Sequence, residues 1–267
     1  MTQTAPTAIP VPTVRRRGSL AQAAYALPVV LLAVMVLIYI VSPSFYLTYV
    51  LEKEHRETQA VEILTFLCGL TASGLLAWSA WRLWRLEWHA GKVAGLPGGP
   101  MLVAVVALAA IFFTGEEISW GQTYLQWQTP EAYEELADNG ETNLHNAKTP
   151  IRVQSLGSLF LVVVFMGLPL AWRFRDRLKL PADWRSGVAE GPVVFTFVCG
   201  FLWSRSKELY LRLNAPEDAA QSELYVQFIS QMKEQKELLF AVGLLLYGLY
   251  RVRQVREHRT ASLAGER

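Results

Sequence analysis

Apolar residues in this chain gather in long, nearly unbroken blocks instead of recurring as a stripe along otherwise polar segments. A surface helix of a water-soluble domain shows one apolar face, whereas a helix apolar all round belongs to a buried core or a bilayer. Six blocks approach the ~17–25 residues needed to cross a membrane as a helix. They cover roughly 24–44, 61–81, 99–115, 155–172, 188–204 and 237–250. The second and fourth are the clearest, while the fifth ("GVAEGPVVFTFVCGFLW") and sixth ("ELLFAVGLLLYGLY") are short. The pattern predicts an all-α fold, a polytopic membrane helix bundle of about six transmembrane helices.

Composition sharpens this picture. Hydrophobic residues make up 52% of the 267 positions and charged residues only 18%, against about a quarter in soluble domains. Lys and Arg concentrate at Arg15–Arg17, at Arg82, Arg85 and Lys92, at 173–185, and at 251–267. If these segments face the cytoplasm, as basic loops do, both termini are cytoplasmic and 116–152 and 205–236 lie outside. The net charge of +2 then reflects topology anchoring and implies no nucleic acid partner. Residues 1–18 are Pro/Thr-rich and too polar to fold, so disorder is expected there. Residues 19–254 form the membrane domain, and 255–267 a basic cytoplasmic tail. The first block exceeds a signal-peptide core and lacks an A-x-A-like cleavage site, which predicts a retained anchor. Cys68 and Cys199 lie within blocks and suit packing better than a disulfide.

No internal repeat is visible, which removes the usual support for an inverted-repeat transporter. "LPGGP" (96–100) breaks the chain before the third block. Gly69 and Ser73 are spaced for a close helix contact. In "SWGQTYLQW", Trp120, Tyr124 and Trp127 would share one face of a continuing helix, either as an interfacial aromatic belt or as a platform for a lipid. Thr129, Pro130 and Gly140 are placed to cap, start and end a short helix. The 205–236 stretch predicts a partly helical loop in which Leu224, Phe228 and Met232 form an apolar face on the membrane surface.

Most acidic residues near outside helix starts are explained by the helix dipole alone. This covers Glu57, Glu62, Glu234 and Glu237, although Glu62 has apolar neighbours on both sides. Glu116 and Glu117 differ, because the third block runs outward and its outer end is a C-terminus, where carboxylates oppose the dipole. At ~1.5 Å per residue, Glu116 lies ~26 Å along a ~30 Å core. Ionisable residues kept at such a depth usually face a cavity or bind something. Adjacent helical positions diverge by ~100°, so one carboxylate is expected to face the centre and the other to brace a neighbour.

A second candidate is "GETNLHN" (140–146). Glu141 and His145 fall one turn apart, a spacing compatible with sharing a metal ion, and Asn143 and Asn146 add amides. Among the four histidines, His55 and His145 lie outside, and His89 and His258 lie inside among basic residues. Ser119 lacks a G-x-S-x-G setting, and H-E-x-x-H, Walker A and C-x-x-C patterns are absent. "GEEISWGQ" followed about twenty residues later by "ETNLHN" resembles a family of uncharacterised bacterial multi-pass membrane proteins. The resemblance covers mainly 112–146, and Thr123 stands where members commonly carry a basic residue. It implies a bacterial cytoplasmic-membrane setting and a functional centre at 116–122 and 141–146, but no activity.

Three functions follow as expectations. The first is an enzyme at the outer leaflet, with Glu117, Glu141 and His145 holding a divalent metal. Zinc best fits the mixed His/carboxylate set. Glu116, Glu117 and His145 would serve catalysis on a lipid or lipid-linked substrate. Trp120, Gln122, Tyr124, Trp127, Asn143 and Asn146 would bind it. The second is an ion- or proton-coupled transporter using Glu116, Glu117 and Glu62, although its carboxylates are shallow for a carrier. The third is a non-enzymatic assembly protein with protein partners or a homo-oligomer, its polar groups locking the loop to the bundle. Membrane lipids are partners in each.

Overall fold

In the computed structural model, residues 19–42, 60–89, 98–134, 142, 153–213 and 219–265 are described. The expected disordered tail therefore lies outside the described residues. Every long element is helical, and no strand occurs among the described residues. We label the main helices α1 (Ser19–Val41), α2 (Ala60–His89), α3 (Gly98–Glu117), α4 (Val153–Val162), α5 (Leu168–Arg173), α6 (Gly191–Leu213) and α7 (Ala219–Gly265). A π-helical turn, Val163–Gly167, joins α4 to α5.

Among the described residues, five segments are long and apolar enough to cross a membrane: Ala21–Val41, Ala60–Leu86, Gly98–Glu117, Ser155–Arg173 and Met232–Thr260. They match five of the six predicted blocks. The remaining block forms the first part of α6, but the helix continues into "SRSKELYLRL" and its apolar length falls short. The sixth block is only the middle of a 47-residue helix, ~70 Å long at 1.5 Å per residue. No Gly or Pro interrupts Ala219–Val242, so nothing stops that helix before it joins the apolar stretch. The expected loop at 205–236 is thus largely helix, and Met232 is buried in the bundle instead of lying on a surface.

Helix α7 is central and packs against α2 and α6, with α3 against α2 and α1 against α6. Glycines set the closest approaches. A Cβ at Gly200 would meet the Phe240 ring at 2.8 Å, and one at Gly243 would meet Phe197 at 2.8 Å, so α6 and α7 interlock reciprocally. Gly69 presses on Thr114 of α3, the close contact its spacing predicts. Phe165 enters this core from the π turn and stacks on Phe197 with centroids 4.0 Å apart. The π turn rests on α6, whereas α4 makes only sparse contact with other helices. That unequal seating leaves room beside the α4 half of the span.

Candidate functional site

The end of α3 explains why the chain reverses where the carboxylates lie. After Glu117, Ser119 (φ 46), Trp120 (φ 56) and Gly121 (φ 82) adopt left-handed conformations in succession. Two of these are not glycine, so other contacts must hold them in place. Trp120 folds back, and its Nε1–H donates to Glu116 Oε1 at 2.7 Å. Its ring meets Phe112 edge-on, with centroids 5.8 Å apart. A side chain at Gly115 would strike the indole at 2.6 Å, which is the physical reason for glycine there. Because the helix ends here, Trp120, Tyr124 and Trp127 do not share a helical face. The one-turn helix Gln122–Leu125 also closes on a left-handed Gln126 before Trp127.

Gln122 fastens the outlying segment. Its amide nitrogen donates to Thr129 Oγ1 at 3.0 Å, and its amide oxygen accepts the Thr142 N–H at 2.7 Å. The Thr142 hydroxyl also bonds Thr129 Oγ1 at 3.1 Å. Thr142 belongs to "ETNLHN", so the two motifs meet through this clip. Glu141, Asn143, His145 and Asn146 lie outside the described residues. The predicted short helix begins as Glu131–Glu134, and its remainder is also outside them.

The two glutamates both line one cavity but make different contacts. Glu116 is buried and holds Trp120. Glu117 interacts electrostatically with Glu237, Glu234 and Lys233 of α7 and with Glu62 in the first turn of α2. Glu237 lies 4.0 Å from both Lys233 Nζ and Lys236 Nζ. Beside it, Trp203 donates to Gln235 Oε1 at 2.6 Å and joins α6 to α7. Between α3, α4 and α7 opens a cavity of about 340 Å³. Glu116, Glu117, Lys236 and Glu237 stand at one end, and Phe112, Leu156, Leu161 and Leu244 are among its apolar walls. No group of three His, Cys, Asp or Glu is placed to hold a metal ion among the described residues.

A second charged centre escaped the sequence reading. Arg251 is 1% exposed and lies at the opposite end of the bundle. It pairs with Glu190 and donates to the Ser186 carbonyl, to Val188 O at 3.3 Å and to Gln254 Oε1 at 2.7 Å. Tyr247, one turn earlier, donates to Gly187 O at 2.5 Å. The 182–190 segment thus locks onto α7, and Asp183 also accepts the Gly98 N–H at 2.7 Å. The signal was weak, since Arg251 opens a run of basic residues that topology alone explains.

This architecture is an all-α bundle whose five apolar helices are compatible with an integral membrane protein. No family model, curated protein or solved structure matches the chain.

Proposed function

We propose that this is a multi-pass integral membrane protein that binds an alkyl-chain lipid in the cavity between α3, α4 and α7. The polar head would lie at the glutamate end. The carrying observation is a cavity with apolar walls and a charged end inside the bundle. Its volume falls at the low end of the ~300–1,000 Å³ usual for small-molecule sites. Among the described residues, five carboxylates (Glu62, Glu116, Glu117, Glu234 and Glu237) outnumber Lys233 and Lys236 around that end. Such a balance favours a head carrying an ammonium group, with a lysine available to a phosphate. The basic segments favour a topology with the glutamate end outside the cytoplasm. The motif resemblance favours a bacterial inner membrane.

The test is photocrosslinking of the full chain in vesicles to lysophosphatidylethanolamine bearing a diazirine in its chain. Covalent label on cavity-lining peptides, competed by unlabelled lipid, supports the reading. Label scattered over all lipid-facing helices overturns it.

The Thr142–Gln122 bond favours a second reading, in which the bound lipid is also a substrate. Residues 141–146 would then contribute Glu141 and His145 to a divalent metal beside Glu117, with zinc as the first ion to test. Elemental analysis of the purified protein beside its His145→Ala variant decides this: zinc at about one per chain, lost in the variant, is the expected result.

A further inference from the structure

We propose that Gly157 sets the length of alkyl chain this cavity accepts, an inference that rests on the lipid-binding reading above. Three helices agree on the depth of the space. Its lining runs from Glu117 to Ala109 on α3, from Val153 to Leu161 on α4 and from Glu237 to Leu244 on α7. Each stretch spans seven or eight residues, so the cavity extends ~10–12 Å along the bundle. Gly157 sits four residues below Val153, about halfway down.

Its direction follows from helical spacing. Val153, Gly157, Phe160, Leu161 and Val164 recur at i, i+4, i+7, i+8 and i+11, which defines one face of the helix. Val164 is buried, and Phe160 and Leu161 pack against the core, so that face borders the cavity, into which Gly157 itself is exposed. A Cβ built at Gly157 meets nothing within 4 Å. Inward-facing glycines such as Gly200 and Gly243 are filled against by phenylalanine rings. Among the described residues Gly157 therefore serves no close helix contact, and the space of its missing side chain belongs to the cavity. Glycine inside a helix also destabilises it relative to alanine, a cost with no packing return at this position. A larger residue would project across the cavity at mid-depth and shorten it.

Gly74 provides the control. It is exposed on α2 and also has open space around its Cβ, but it does not line the cavity. The full chain and its Gly157→Leu, Gly157→Ala and Gly74→Leu variants would be photolabelled with lysophosphatidylethanolamines of graded chain length. Gly157→Leu is expected to lose long-chain labelling by at least about tenfold while keeping short-chain labelling. Gly157→Ala should shift the preference in the same direction by less and raise the melting temperature. Gly74→Leu should match the wild type.

Wild-type labelling with an unchanged length profile in both Gly157 variants would overturn the gauge but leave the binding site standing. Failure of the wild type to capture any member of the series would overturn the lipid reading and the gauge with it. Should Gly157→Leu fail to fold, the alanine variant decides, because its added methyl meets open space.

Discussion

The two ends of the bundle handle buried charge in opposite ways. At the arginine end, one cation is surrounded by acceptors from its own chain: two carbonyls, a carboxylate and an amide. At the glutamate end, several carboxylates and two lysines border a cavity. A buried charge is expensive unless paired and hydrogen-bonded. The arginine end meets that demand with backbone and side chains. Even so, Arg251 Nε and Glu190 Oε2 make no hydrogen bond among the described residues. At the glutamate end, Glu116, Glu117, Lys236 and Glu237 line a cavity whose other described walls are largely apolar. The contrast separates charge used to close a fold from charge placed where something else can meet it.

The largest effect expected from breaking this contrast is at Arg251. Arg251→Met removes the cation and leaves Glu190, 26% exposed at its side chain, without its partner. Losing one member of a buried pair costs about 3–5 kcal/mol. Thermal unfolding in detergent should show it as a large fall in midpoint. Pairing the change with Glu190→Leu should recover part of the loss, because the stranded charge goes too. A double variant as unstable as the single one would show that the carbonyl contacts, and not the ion pair, hold the lock.

A smaller effect is expected at Gly115. Gly115→Ala pushes a methyl into the indole of Trp120, and overpacking of this kind costs about 1–3 kcal/mol. The Trp120 Nε1–H bond to Glu116 should be strained or lost, and tryptophan fluorescence should report greater solvent exposure. Unchanged emission and stability would mean that the fold-back does not depend on Gly115. At the other end, Tyr247→Phe deletes one hydrogen bond to Gly187 O and should cost about 1 kcal/mol, read from the same unfolding curves. It should leave lipid capture unchanged.

Legibility in the sequence followed physical scale. Helical blocks and a close helix contact at Gly69 follow from periodicity and residue size, both of which are local properties. The reversal at Ser119–Gly121 was not legible, because Ser and Trp at positive φ are held by tertiary contacts and not by propensity. Nor was the lock, since Glu190 is 61 positions from Arg251, and three further arginines near it suit the same topological explanation. The α6 limit and the 47-residue α7 show that apolar content and helix length are set separately, since α7 runs well beyond its apolar stretch at both ends. A cavity is the space several helices fail to fill, and no single segment encodes it.

The sharpest comparison of the two ends comes from the variant with the smallest effect on stability. Glu117 interacts with three other carboxylates and one lysine, so Glu117→Gln takes one carboxyl out of a crowded acidic cluster while keeping nearly the same shape. Its unfolding midpoint should be unchanged or higher, opposite in sign to the Arg251 variant. Ligand capture should instead fall by about tenfold, the equivalent of one charge-assisted contact at ~1.4 kcal/mol. Sites kept for binding commonly gain stability when their function is removed. A loss of stability in Glu117→Gln with capture intact would place this carboxylate in the same structural category as Arg251. The glutamate end would then be a second lock, and the lipid head would have to be sought elsewhere along the cavity.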